Sequence, residues 1–213
     1  VYVTLNTLLT DEELNRAERF IHDLYAAGVD ALIVQDMGVL RLNLPPIALH
    51  ASTQTELSSP EKARFLEQVG FTQLVLAREL SLDEIKCIRQ NTTVPLEAFV
   101  HGALCVSYSG HCYASQFCFQ RSANRGECAQ FCRLAFDLVD ADGQTLVRDK
   151  HLLSLRDMNR SQSLEEMMEA CISSFKIEGR LKNASYVKNV VKDYSTELDH
   201  IIEESAGYYV RGS

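Results

Sequence analysis

What most restricts this chain is a repeated switch between two hydrophobic periods. A short β-branched apolar run gives way to a helix-length stretch with a one-sided apolar stripe. The pair recurs at intervals of about 20–30 residues. Residues 1–9 (VYVTLNTLL) read as a buried strand. Thr10 then offers an N-cap, and Glu13 stands three residues on, where a capping box wants a carboxylate. Leu14, Ala17, Ile21, Leu24 and Tyr25 fall on one helical face, and Gly28 stops the helix. The same logic predicts strands at 31–35, 47–52, 71–76, 96–101 and 172–177. Helices are expected from Pro60 to Gly70, from Ser81 onward, over 163–170 and over 184–204. Strands separated by helices must run parallel, and a parallel sheet needs helices covering it.

In such a sheet, function gathers where the strands end at their carboxyl side. Those ends are polar here: Asn6, Gln35-Asp36, His50 with Ser52 and Gln54, Arg78-Glu79, and Glu97 with His101. Hydrophobic residues make up 46% of the 213 and charged ones 23%, enough apolar surface to exclude a disordered chain. No run approaches the roughly 20 apolar residues of a membrane span, and no secretory signal opens the chain, so a cytoplasmic location is expected. The net charge of −8 argues against a surface that grips nucleic acid all over. A local patch is still allowed. Residues 121–160 carry seven Lys/Arg against six Asp/Glu, so this stretch is less acidic than the rest.

From Gly102 to Arg160 the alternation stops. The stretch is read as an insertion of residues 102–160 at the rim, with a hairpin turn at Asp140-Ala141-Asp142-Gly143. Five of the seven cysteines fall between 105 and 132. Cys105, Cys112, Cys128 and Cys132 are spaced C-x6-C-x15-C-x3-C, with Cys118 as a fifth thiol. An odd cysteine count without a secretory signal argues against a disulfide scaffold. Four thiolates from one loop can close a sulfur site for iron–sulfur or zinc. The spacing matches neither a zinc ribbon nor a ferredoxin run. Cys87 and Cys171, inside apolar helical surroundings, are expected to be small core residues.

The run from Glu97 to Ser115 resembles the signature of the collagenase-like peptidases, family U-thirty-two, classed as peptidases of unknown catalytic type. The matching positions are Glu97, Phe99, Gly102, Ala103, Cys105, Gly110, Cys112 and Ser115. Ala114 departs from the usual aliphatic residue. The NRGECAQ-x-CR run from Asn124 to Arg133 and Lys176-Ile177-Glu178-Gly179-Arg180 also resemble that family. Phe131 stands where proline is commoner, and Asn159 where some members have a further cysteine. The resemblance implies a TIM-barrel-like (β/α) barrel. Its name implies peptide hydrolysis. Other members imply oxygen-independent hydroxylation of a transfer or ribosomal RNA base, or of a ubiquinone precursor. For these it implies a four-cysteine [4Fe–4S] cluster and prephenate as an oxygen source.

The residues favour the cluster reading. There is no G-x-S-x-G elbow and no HExxH. Cys105 or Cys112 with His101 or His111 would make a Cys–His pair, but one nucleophilic thiol does not need three more beside it. A peptidase, and a zinc-stabilised binding module without catalysis, remain the alternatives. His50, Glu97 and His101 are candidate catalytic groups near strand ends. Buried, Glu97 would need Lys, Arg or hydrogen-bond partners. Lys176 and Glu178 alternate onto one face of the last strand and join them. Arg180, Arg125 and Arg133 are candidate contacts to a substrate phosphate or carboxylate. A (β/α)8 barrel takes about 200–250 residues. With the insertion subtracted, this chain supplies about six of the eight strands. It is therefore expected to be a partial barrel with an open sheet edge, covered either by a second copy of the chain, as a homodimer, or by a rearrangement.

Overall fold

The structure is a computed structural model, and it describes residues 1–205, 207 and 208. In chain order its strands are β1 (Tyr2–Leu5), β2 (Ala31–Val34), β3 (Ala48–Ala51), β4 (Gln73–Val75), β5 (Leu96–Gly102), β6 (Phe136–Val139), β7 (Thr145–Lys150), β8 (Met158–Asn159) and β9 (Ile172–Ile177). Its helices are α1 (Asp11–Ala26), α2 (Pro60–Gln68), α3 (Leu82–Arg89), α4 (Ala114–Phe119), α5 (Leu164–Glu169) and α6 (Ala184–Glu204).

Local signals set the helix starts. Thr10 and Glu13 form a full capping box on α1, and Ser81 and Glu84 form one on α3. Ser59 caps α2, whose first residue is Pro60. Asn183 caps α6 by accepting from the Tyr186 amide. The first strand is shorter than expected. Its chain turns away after Leu5 because the rim captures the next backbone amides. The Leu8 amide donates to the Asn124 carbonyl and the Leu9 amide to Asp36 Oδ2.

Strands β1, β2, β3, β4, β5 and β9 lie side by side in that order, all parallel. This is a half-barrel of six parallel strands with helices. Among the described residues β1 pairs only with β2, so the sheet is open at that edge. One sheet face packs under the helices: Leu32, Val34, Leu49, Ala51, Leu74, Leu76, Ala98 and Val100 meet Ile21, Leu66, Ile85 and Ile88. On the other face Val75 and Phe99 pack with Met158 and Leu104.

Between β5 and β8 the chain leaves the sheet. It builds α4, two single-turn helices and the hairpin β6–β7, whose turn has Gly143 at φ +80° and Asp140 Oδ1 accepting two amides. β8 then returns as a two-residue antiparallel addition to the end of β5. The expected burial of two cysteines does not hold: Cys87 and Cys171 are both exposed. Cys87 occupies the solvent side of α3, and Cys171 the turn entering β9, at φ +57°. No helix among the described residues is long and apolar enough to cross a membrane.

Candidate functional site

The helix-free face of the sheet carries a polar cluster at its centre. Period-two alternation puts Glu97 and Phe99 of β5 on this face. Glu97 is buried, and every oxygen it has is engaged. Lys176 Nζ of β9 lies 2.7 Å from its Oε1, and Gln73 Nε2 of β4 and Ser174 Oγ of β9 donate to its Oε2 at 2.8 and 3.0 Å. A buried carboxylate is tolerable only with this kind of pairing. His50 of β3 joins the group. Its ring is buried, edge-on to Tyr2 with centroids 4.7 Å apart, and its Nδ1 has no partner among the described residues. Burial pushes its pKa below the ordinary histidine value; Glu97 pulls it back up and Lys176 pushes it further down. His50 is thus neutral, in the field of an adjacent ion pair.

A second layer lies toward the rim. The Arg78 guanidinium rests 3.9 Å above the Phe99 ring, donates to the Ala103 carbonyl at 2.7 Å and sits 2.6 Å from Glu178 Oε2. The Glu178 contact is a close ion pair rather than an aligned hydrogen bond. Arg180 is 3.9 Å from Glu178 with its side chain 89% exposed, a loose surface partner. Gly102 explains why the chain can close here. It holds φ +120°, and a Cβ would meet the Glu178 carbonyl oxygen at 2.7 Å.

His101 goes elsewhere. A register shift in β5 falls between Phe99 and His101, and the ring packs against Tyr186 and Tyr194 of α6. Its Nε2 is 2.8 Å from the Tyr186 hydroxyl. None of its partners belongs to the Glu97 group, so the expectation that it faces the barrel mouth with His50 is not met.

The cysteine segment is fastened over the rim by buried polar anchors. Ser115 Oγ accepts from the Ala129 amide at 3.0 Å and lies 3.9 Å from Cys128 Sγ. Asn124 donates to the Gly110 carbonyl at 3.0 Å. Gly110 presses on Gln54, where a Cβ would stand 2.7 Å from the carbonyl oxygen, and its φ is +79°. Arg125 makes a two-pronged pair with Glu13 at 2.9 and 2.8 Å and also donates to the Leu8 carbonyl. That pairing lowers the Glu13 pKa to about 2, the Arg125 side chain contributing first and the Thr10 amide next. Arg133 bonds Leu104, Ser154 and Leu155. Both arginines are therefore engaged in holding this segment in place.

Four thiols share one neighbourhood. Burial pushes the Cys132 thiol up, Arg133 opposes, and the charges of Cys105, Cys128 and Cys112 push it up further. Cys118, on α4, is not among these influences. Among the described residues no three His, Cys, Asp or Glu side chains already stand close enough to hold a metal ion. As chemistry the donor set fits an iron–sulfur or zinc site: four soft sulfurs, with Cys105, Cys112 and Cys128 close enough to Cys132 to influence its thiol.

The sequence model of peptidase family U32 matches residues 1–210. The chain belongs to that family. It is 56% identical over 204 residues to the 23S rRNA 5-hydroxycytidine C2501 synthase of Escherichia coli K12, covering 96% of this chain and 31% of that protein. It is 33% identical to tRNA hydroxylation protein P1 of Bacillus subtilis, covering 99% of this chain and 52% of the other. It is 32% identical to a collagenase of Porphyromonas gingivalis, covering 93% and 51%. The chain thus spans about a third to a half of these relatives' length. A solved U32 peptidase structure, Mk0906, superposes with a TM-score of 0.51 at 18% identity, covering 86% of this chain and 71% of that one, which supports the shared fold.

Within this U32 chain, several site residues have no single-residue signal in the sequence. Gln73 and Ser174 are ordinary strand residues until Glu97 lies between them. Arg78 stands out only as one of the polar residues at a strand end.

Proposed function

We propose that this chain is the barrel part of an enzyme that hydroxylates an RNA base without molecular oxygen. The observation that carries this reading is the 56% identity, over nearly the whole chain, to a synthase of 5-hydroxycytidine in ribosomal RNA. The tRNA hydroxylation relatives point the same way. The surface of the cysteine segment supports it. Residues 103–135 hold three arginines and one glutamate, of which Arg125 is neutralised by Glu13, so the segment is weakly basic in a chain with 21 Lys+Arg against 29 Asp+Glu. The same stretch shows Tyr108 at 72% and Phe117 at 86% exposure, with Tyr113 and Phe119 also exposed. Positive charge interleaved with open aromatic faces suits unstacked single-stranded bases.

In this reading Cys105, Cys112, Cys128 and Cys132 hold a [4Fe–4S] cluster. Such a cluster supplies one-electron chemistry at the rim when bound. Prephenate is the proposed oxygen source. Glu97 and Lys176 form a fixed charge pair below the rim, and neutral His50 is the group there able to take or give a proton. Arg180, extended and exposed, is a candidate contact to substrate phosphate.

The test uses the intact protein purified without air. Iron and sulfide analysis should give about four of each per chain. RNA from cells lacking the gene should lack a hydroxycytidine that the wild-type gene restores, as read by nucleoside mass spectrometry. Replacing any of the four cysteines by serine should abolish the restoration. An unchanged hydroxycytidine content in the deletion would refute the assignment. A colourless protein with stoichiometric zinc would favour a binding module instead. The collagenase-named relatives keep peptide hydrolysis as a second reading. Against it, none of the six histidines is hydrogen-bonded to a serine or cysteine among the described residues.

A further inference from the structure

Beside Cys105 the rim opens into a cleft of about 410 Å³ between the end of β4 and the short strand β8. Its polar wall is Arg78, Glu79, Ser109, Asn159 and Arg160. Glu79 is satisfied, because the Ser109 amide and hydroxyl each donate to one of its oxygens at 2.9 Å. Arg78 has its counter-charge in Glu178. Arg160 has none. Its guanidinium makes one hydrogen bond, from Nη2 to the Leu80 carbonyl at 2.7 Å. No carboxylate among the described residues comes within ion-pairing reach of it. Next to it, Asn159 Oδ1 accepts from the Ser161 amide at 3.0 Å and lies 3.0 Å from the Tyr194 hydroxyl, whose one proton is shared with the closer Val100 carbonyl at 2.7 Å. That leaves the Asn159 amide nitrogen as a donor without an acceptor among the described residues.

We propose that this cleft is an oxyanion site, in which Arg160 and the Asn159 amide hold a carboxylate or phosphate group next to Cys105. A half-buried cation without a partner is costly, and an entering oxyanion relieves that cost while gaining charge-assisted hydrogen bonds. Burial pushes the Arg160 pKa below the ordinary arginine value, in keeping with a missing counter-charge. Arg78 is neutralised by Glu178 and Glu79 is held by Ser109, so Arg160 is the cation of the wall with no ion-pair partner among the described residues. The anion is either a free small molecule or one phosphodiester of a bound strand; both present the same oxygens to Arg160. The proposal does not depend on the cluster. It rests on Arg160 and Asn159, which are not among the four proposed cluster ligands, and it holds for metal-free protein.

Cys105 lines the cleft and is exposed, so it reports on occupancy. Metal-free intact protein is treated with iodoacetamide, and labelling of each cysteine is followed by peptide mass spectrometry. The probes are inorganic phosphate, malonate and a short single-stranded oligoribonucleotide, at matched ionic strength. Exposed Cys87 and Cys171, away from the cleft, serve as internal controls. Saturable slowing of Cys105 labelling by at least five-fold, with Cys87 and Cys171 unaffected, is expected. Arg160→Gln should remove this protection, and Arg160→Lys should keep part of it. Protection by phosphate or malonate identifies a free anion; protection only by the oligoribonucleotide identifies the strand backbone. Equal slowing at all three cysteines, no slowing with any probe, or unchanged protection in folded Arg160→Gln would each overturn the proposal. If Arg160→Gln does not fold, the wild-type labelling alone decides. A failure here leaves the iron and sulfide result untouched, so the two readings fail separately.

Discussion

Glu97 and His50 form a small electrostatic machine whose parts can be removed one at a time. Glu97→Gln keeps the hydrogen bonds to Gln73 and Ser174 but leaves the Lys176 ammonium facing an uncharged amide. Breaking one side of a buried pair costs about 3–5 kcal/mol. Because the Lys176 side chain is 30% exposed, water recovers part of this, and a loss of about 1–3 kcal/mol is expected in denaturant unfolding. His50 gives a pH signature. Its folded pKa is depressed, so above about pH 6.5 it is neutral in both states and does not tilt the balance. As pH falls below 6.5 the unfolded chain takes the proton first, and stability drops until the folded value is passed. His50→Gln should therefore flatten the stability-versus-pH curve on the acid side of 6.5; an unchanged slope would contradict the neutral, buried ring.

At the scale of elements, glycines and caps decide where segments can meet. Gly102→Ala forces a Cβ to within 2.7 Å of the Glu178 carbonyl at φ +120°. Gly70→Ala also lies at positive φ, +107°, but has open space around it. Thermal unfolding should show the first losing more than about 2 kcal/mol and the second about 1 kcal/mol. Equal losses would mean that β5 and the end of β9 do not touch as described. The Glu13–Arg125 pair has its own acid limit. With Glu13 lowered from 4.5 to about 2, the stability it contributes is present above pH 4.5 and is lost as pH falls toward 2. Glu13→Gln should raise the alkylation rates of Cys128 and Cys132 at neutral pH, since the segment carrying them loses its tie to α1. The capping boxes at Thr10–Glu13 and Ser81–Glu84 are legible in the sequence because each is complete within four residues. β8 is not, because two residues carry no period and only β5 makes them a strand. His101 departs from expectation for a related reason: alternation assumes unbroken register, and the shift after Phe99 turns the ring onto α6.

For the molecule as a whole, parallel order and an open edge follow from the spacing of strands and helices. The partners of Glu97 do not, since Lys176 lies 79 residues and Gln73 24 residues away in sequence. The need for such a partner is legible from a glutamate inside an apolar strand; its identity is not. The Arg160 cleft has no sequence signal because its walls come from three separate stretches of chain. The open edge at β1 makes a further expectation. Its ladder groups are unpaired among the described residues and Tyr2 is exposed there, so the isolated chain should self-associate with concentration in sedimentation experiments. A strict monomer at high concentration would show that the edge is protected by other means.

The sheet order also has a consequence in time. Strands β1 to β5 each pair with their neighbour in sequence, so they can assemble one after another as the chain emerges. β9 instead joins β5 across the whole cysteine segment, a slow, long-range closure. Until it docks, Glu97 has no cation and the polar cluster is incomplete. On this order the pairing expected to form last is the one that gives Glu97 its cation, and a chain stalled before it would have most of its sheet with a buried carboxylate still unpaired.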